Sequence, residues 1–188
     1  MTIIVTILSN GYADWETAML NAGARQYFGI DTRFASPGGE PVVSAAGMKV
    51  LPDMAIDDIE PAEIDALLVN GGTAWSQADA PDITAVLRAT RDAGKTVGGI
   101  CDGTLALARA GLLDTVAHTS NSRDNLTPTA YAGAALYRDQ PSAVLADRIV
   151  TAPGTAPVSF MGAVLETLGL RNGDLDYYLG LYAAEHQR

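Results

Sequence analysis

The chain contains one cysteine, Cys101, set between the apolar run Lys95-Thr-Val-Gly-Gly-Ile100 and the helix-like run Asp102-Gly-Thr-Leu-Ala-Leu-Ala-Arg-Ala-Gly111. A side chain at such a junction stands on a tight strand-to-helix turn above the carboxyl edge of a sheet. The unpaired N–H groups of a helix N-terminus favour a thiolate there. A lone cysteine is more often a small buried hydrophobe, but glycine on both sides of this one marks the elbow of a nucleophile. A thiolate attacking a carbonyl also needs donors for the oxygen that becomes negative. The Asp102 backbone N–H is one such donor, and Gly71-Gly72, which follows an apolar run, supplies another.

The segment Asn10-Gly-Tyr-Ala-Asp-Trp-Glu-Thr17 is the second place where chemistry can sit. Asp14 reads as a helix cap and Glu16 falls in the first turn, where carboxylates are favoured. Capping would explain both residues. The first strand of an open α/β sheet, however, lies beside the middle ones, so a carboxylate at its end can reach the elbow. A glutamate beside a thiolate has a raised pKa and can donate to sulfur or shuttle a proton. Trp15 and Gly71 line the same mouth with Asp14. His118 follows the elbow helix and is the one imidazole placed to partner Cys101, whereas His186 sits near the chain end and is assigned no role.

The elements that would position these residues alternate. Thr2–Leu8 reads as a buried strand, followed by a helix from Ala13 to Phe28 that Gly29 stops. Ile30–Ala35 is a second strand, Val42–Ala45 and Met48–Leu51 form a hairpin, and Ile59–Ile64 is a short acidic helix. Ala66–Asn70 is a central strand, and Pro81 opens a helix that runs to Ala93. The Cys101 strand and elbow come next. Arg148–Thr151 is a strand, Val158–Leu168 an apolar helix and Asp174–His186 a last helix. Strand alternating with helix implies an α/β fold with a mainly parallel sheet.

At 188 residues and 48% hydrophobic, the chain can bury one substantial core, so a single domain spanning 1–188 is expected. The formal charge of −10, with no cluster of Lys or Arg, disfavours nucleic acid and anionic membrane as partners. One cysteine excludes an intramolecular disulfide, and with two histidines it also excludes a cysteine-rich zinc site. The N-terminal apolar run is too short for a membrane span or secretory signal, so a cytoplasmic location is expected.

Gly99-Ile-Cys-Asp-Gly103, Asn70-Gly-Gly72, Gly11-Tyr-Ala-Asp-Trp-Glu-Thr17 and Thr151-Ala-Pro-Gly-Thr155 stand in the order and spacing of the ThiJ/PfpI superfamily, which the chain resembles over nearly its whole length. That superfamily includes the Parkinson-linked protein deglycase, glyoxalase III, isonitrile hydratase and PfpI-type peptidases, on a fold related to class I glutamine amidotransferases. The resemblance implies a flavodoxin-like three-layer sandwich, with helices on both faces of the sheet, a homodimer, a small-molecule substrate and no cofactor or metal. It matches Cys101 to the reactive cysteine, Glu16 to the glutamate that hydrogen-bonds it, and Gly72 and Asp102 to the oxyanion donors. His118 matches a later histidine only loosely. Peptidases of the PfpI type carry histidine after the cysteine, and Asp102 stands there instead, which argues against proteolysis. The implied activity is cysteine-dependent chemistry on small electrophilic carbonyl compounds, of the glyoxalase III or deglycase kind. A hydratase or hydrolase acting on a small C–N substrate, like isonitrile hydratase, is the enzymatic alternative. An oxidative-stress sensor working through Cys101 oxidation is the non-enzymatic one.

Overall fold

The computed structural model describes residues 1–184. Seven strands form one sheet in the order β5-β2-β1-β6-β7-β9-β8. They are β1 (Ile3–Ile7), β2 (Asp31–Ser36), β5 (Met54–Ala55), β6 (Ala66–Val69), β7 (Thr96–Ile100), β8 (Val144–Ala146) and β9 (Ile149–Ala152). Every neighbouring pair is parallel except β8 with β9. Between β2 and β5, β3 (Val42–Val43) and β4 (Lys49–Val50) form the expected antiparallel hairpin.

Central parallel strands are covered on both faces, which is why they read as unbroken apolar runs. Successive side chains still point to opposite sides. Val5, Ile7, Leu67 and Val69 join one core with Leu87 of α2 (Thr84–Asp92) and Leu105 and Leu107 of α3 (Gly103–Arg109). Ile4, Ala66 and Leu68 join the other. That second core holds Leu20 of α1 (Asp14–Phe28), Phe160, Met161 and Val164 of α5 (Pro157–Thr167), and Leu175 of α6 (Gly173–Ala183). The result is the three-layer, flavodoxin-like sandwich. α4 (Arg123–Leu126) is a single short turn that lies against α3.

The α1 helix ends where Gly29 takes a left-handed φ of 64° and returns its N–H to Ala24. Several boundaries differ from the sequence expectation. No helix forms over Ile59–Ile64; a 3₁₀ turn occupies Ile56–Asp58 instead, and Pro61 prevents the following residues from extending it. Pro81 does not open α2. The helix starts at Thr84, whose N–H is taken by the Asp82 carboxylate at 3.0 Å. Strands β5 and β8 were not anticipated. The C-terminal helix is described as far as Ala183, and His186 lies outside the described residues. No helix among the described residues is long and apolar enough to cross a membrane.

Register brings the site together. Ile7 pairs with Val69, Val69 with Gly99 and Gly99 with Thr151, so β1, β6, β7 and β9 end at one level. The four segments that leave those ends carry the Tyr12–Glu16 region, Asn70–Thr73, Cys101 and Pro153–Thr155. Ligands of open α/β sheets bind at this edge.

Candidate functional site

Cys101 has a φ of 55°, a left-handed conformation that a side-chain-bearing residue adopts at a cost of about 1–2 kcal/mol. Its neighbours hold it there. Its N–H donates to the Ala152 carbonyl at 2.9 Å, and its carbonyl accepts the Thr104 hydroxyl at 2.6 Å. The elbow therefore fixes the backbone and leaves the sulfur projecting over the sheet edge, half-buried.

Glu16 reaches that sulfur from the first turn of α1 and is fully buried. Its Oε2 accepts the Gly71 N–H at 2.7 Å, while Oε1 has no conventional hydrogen-bond partner and faces the Cys101 side chain. Glycine is required at Gly71, because a Cβ there would run into both the Glu16 carboxylate and Cys101. A Cβ at Gly154 would crowd the same pair less severely, standing 2.9 Å from Sγ and 3.0 Å from Glu16 Oε1.

Burial pushes the Glu16 carboxyl up to about 7; the contacts with Cys101 and the Gly71 N–H oppose this, and the Asp102 charge adds to it. Burial also pushes the Cys101 thiol up, to about 12, with the charge of Glu16 adding to the rise. The Asn121 amide and the Asp102 N–H pull it down by less. Two negative charges cannot share this dry pocket, so burial and mutual repulsion raise both groups and the pair holds a proton between them.

Asn121, not His118, is the polar side chain on the sulfur. Its Nδ2 lies 3.1 Å from Cys101 Sγ and 3.1 Å from Asp102 Oδ1, and its Oδ1 accepts the Gly154 N–H at 2.9 Å. That last bond orients the amide, because an oxygen committed to Gly154 turns the NH₂ group toward the sulfur. His118 lies fully buried, with Nδ1 2.9 Å from the Val116 carbonyl and Nε2 3.2 Å from the Tyr131 hydroxyl. Its ring sits edge-on to Tyr131 and Tyr137. Both nitrogens are thereby committed away from Cys101. Burial lowers its pKa, consistent with a neutral ring that braces the segment leading to Asn121. Asn121 stands three residues after His118, and nothing in the sequence marks it as the partner of the sulfur.

The remaining candidates fall as follows. Asp14 does not cap α1; its Oδ2 accepts the Ala46 N–H at 2.9 Å and so ties the helix to the β3–β4 hairpin. Gly71 spends its N–H on Glu16 and so orients the acid. Gly72, with φ 155°, follows it in the turn. Trp15 is 58% exposed and donates its Nε1–H to the Gly154 carbonyl at 3.1 Å, which sets its ring beside the Cys101 mouth. The Asp102 carboxylate does not orient His118. Asn121 and Asn125 hold its Oδ1 at 3.1 and 3.2 Å. A cleft of about 360 Å³, lined in part by Asn121, Asp139, Gln140, Pro153 and Thr155, opens beside this arrangement. Among the described residues, no group of three or more His, Cys, Asp or Glu is placed to hold a metal ion.

This geometry agrees with comparisons to known proteins. The DJ-1/PfpI family pattern matches residues 1–167. Over 171 residues the chain is 33% identical to the uncharacterized protease YoaZ of Bacillus subtilis, covering 83% of this chain and 78% of that one. It is 31% identical over 144 residues to the glutathione-independent glyoxalase DJR-1.2 of Caenorhabditis elegans, covering 74% of each. The crystal structure of the DJ-1 superfamily protein Atu0886 from Agrobacterium tumefaciens superposes with a TM-score of 0.96 at 43% identity, covering 99% of this chain and 100% of that one. With an elbow cysteine, a buried glutamate against it and this degree of similarity along its length, the chain belongs to the DJ-1/PfpI family.

Proposed function

We propose that the protein is a cysteine-dependent enzyme acting on small electrophilic carbonyl compounds, with conversion of methylglyoxal to lactate as the reaction to test. The observation that carries this reading is the fully buried Glu16, tuned to about 7 against the Cys101 thiol. A carboxyl group with that pKa is matched to taking and returning protons near neutral pH. The similarity to a relative named as a glutathione-independent glyoxalase supports the same choice.

In this reading the Cys101 sulfur bonds to the aldehyde carbon while its proton passes to Glu16 and the carbonyl electron pair moves to oxygen. The N–H groups of Gly72 and Asp102 stabilise that oxygen, which takes up a proton to give a hemithioacetal. Glu16 then carries a proton from the former aldehyde carbon to its neighbour through an enediolate, leaving a thioester. Water cleaves the thioester, releasing lactate and restoring the thiol. Asn121 holds the sulfur in line throughout.

Two relatives carry protease names, but here the sulfur has an amide and a carboxyl beside it and, among the described residues, no imidazole hydrogen bond. Acyl transfer from a peptide needs a group that protonates the leaving amine, the role imidazole fills in cysteine peptidases. The homodimer implied by the family is part of the proposal, and light scattering at micromolar concentration tests it.

The deciding experiment measures lactate from methylglyoxal without glutathione for the wild type, Cys101→Ser and Glu16→Gln. Turnover lost in both variants is the expected result. No turnover in the wild type would overturn the reading and direct the search to isonitriles and then to peroxide sensing.

A further inference from the structure

Two carboxyl groups lie near the sulfur of Cys101. Asn121 Nδ2 touches both Sγ and Asp102 Oδ1 at 3.1 Å, so that carboxylate oxygen lies within about 6 Å of the sulfur. Asn125 holds the same oxygen from the other side. Glu16 closes the floor. Among the described residues that line the cleft opening beside them, Asp139 is the one charged side chain, accompanied by Ser120, Gln140 and Thr155, with no Lys or Arg. Arg123, two residues beyond Asn121, is turned elsewhere: its guanidinium donates to the Ala134 carbonyl at 2.9 Å and lies 5.2 Å over the Tyr137 ring. A cleft with low-dielectric walls focuses the field of the charges along it. A carboxylate entering here would lose its water and meet no cation in exchange.

We propose that the cleft excludes electrophiles bearing a carboxylate and admits uncharged or cationic ones, with Asp102 and Asp139 as the specificity-determining residues. Oxoacids such as glyoxylate would then be poor substrates, and neutral oxoaldehydes good ones. This rests on the carbonyl reading only in placing the substrate at Cys101.

The test reads the sulfur directly and needs no turnover. Cys101 is the only cysteine, so intact mass follows its alkylation alone. Iodoacetamide and iodoacetate form the same S–C bond with loss of iodide, and they differ chiefly in charge. At low ionic strength, the iodoacetamide-to-iodoacetate rate ratio should exceed that of 2-mercaptoethanol by about tenfold or more and shrink toward it in high salt. Asp139→Lys, at an exposed position on the cleft wall, should lower the ratio several-fold. Asp102→Asn should lower it as well. A wild-type ratio equal to that of 2-mercaptoethanol would overturn the proposal, and so would a high ratio unmoved by Asp139→Lys. Absence of lactate formation, in contrast, would remove the carbonyl reading and leave this ratio as measured.

Discussion

Replacing Glu16 with glutamine should stabilise the protein increasingly as the pH rises. The carboxyl ionises near 4.5 in the unfolded chain and about 7 in the folded one, chiefly because burial penalises its charge. The folded state therefore binds more protons between those values. Stability contributed by this group is fully present below about pH 4.5 and is lost as the pH climbs through 7. At 1.36 kcal/mol per pKa unit the whole penalty is about 3 kcal/mol, and most of it develops between pH 5 and pH 8. Glutamine has the same shape and can still accept the Gly71 N–H, but carries no charge to bury. The assay is urea denaturation of wild type and Glu16→Gln at pH 5, 6, 7 and 8. The difference in unfolding free energy should grow by about 2–3 kcal/mol in favour of the variant across that range. Other titrations cancel in the difference. His118, whose pKa burial lowers, contributes stability that is lost as the pH falls, equally in both proteins. Cys101 begins to matter only near 9, where the unfolded thiol titrates, which is outside the window. A difference that stays constant from pH 5 to 8 would refute the account of Glu16 as a carboxyl held neutral by burial.

His118→Ala should destabilise the fold by about 3 kcal/mol, the cost of emptying a buried aromatic site, in a denaturant titration. It should leave the pH profile of Cys101 alkylation unmoved, and a shifted profile would put the imidazole back in contact with the sulfur. Asn121→Ala removes the amide that donates to Sγ, so the alkylation profile should move to higher pH, with slower iodoacetamide reaction at any fixed pH. Gly154→Ala places a methyl carbon 2.9 Å from the sulfur, and iodoacetamide labelling should fall by about tenfold while circular dichroism is retained.

Much of this fold can be read before any coordinates. The run Ala66–Val69 is apolar without interruption, and Ile3–Ile7 is broken only by Thr6, because helices cover both faces, and that pattern calls for a parallel sheet. The elbow is legible for a similar reason, since only a strand end, small residues and a helix start fit around a cysteine at φ 55°. Strands β5 and β8, of two and three residues, leave no periodicity to detect and exist through pairing with Ala35–Ser36 and Ile149–Thr151. Glu16 could be named from the sequence because it lies one turn into a helix that leaves the adjacent strand. Asn121 could not. Its position depends on the Gly154 N–H, 33 residues away, and chemical expectation favours a histidine over an amide. The upward push on the Cys101 thiol is equally hidden. The helix N-terminus is visible in the sequence, but the depth of burial that outweighs it depends on how Gly71 and Gly154 close over the pair.

The bond between Trp15 and the Gly154 carbonyl gives the protein an optical reporter at the mouth of its reactive site. The chain has two tryptophans. Trp75 is fully buried with its Nε1–H on the Asn70 carbonyl at 2.8 Å, so its emission is a fixed background as long as the fold holds. Trp15 is solvated on one side and hydrogen-bonded on the other to the residue that covers the sulfur. Any adduct on Cys101, whether substrate, alkylating agent or oxygen, changes the surroundings of one indole and spares the other. Occupancy of the unlabelled protein can thus be followed in real time by the shift in intrinsic fluorescence, with the second tryptophan serving as internal reference.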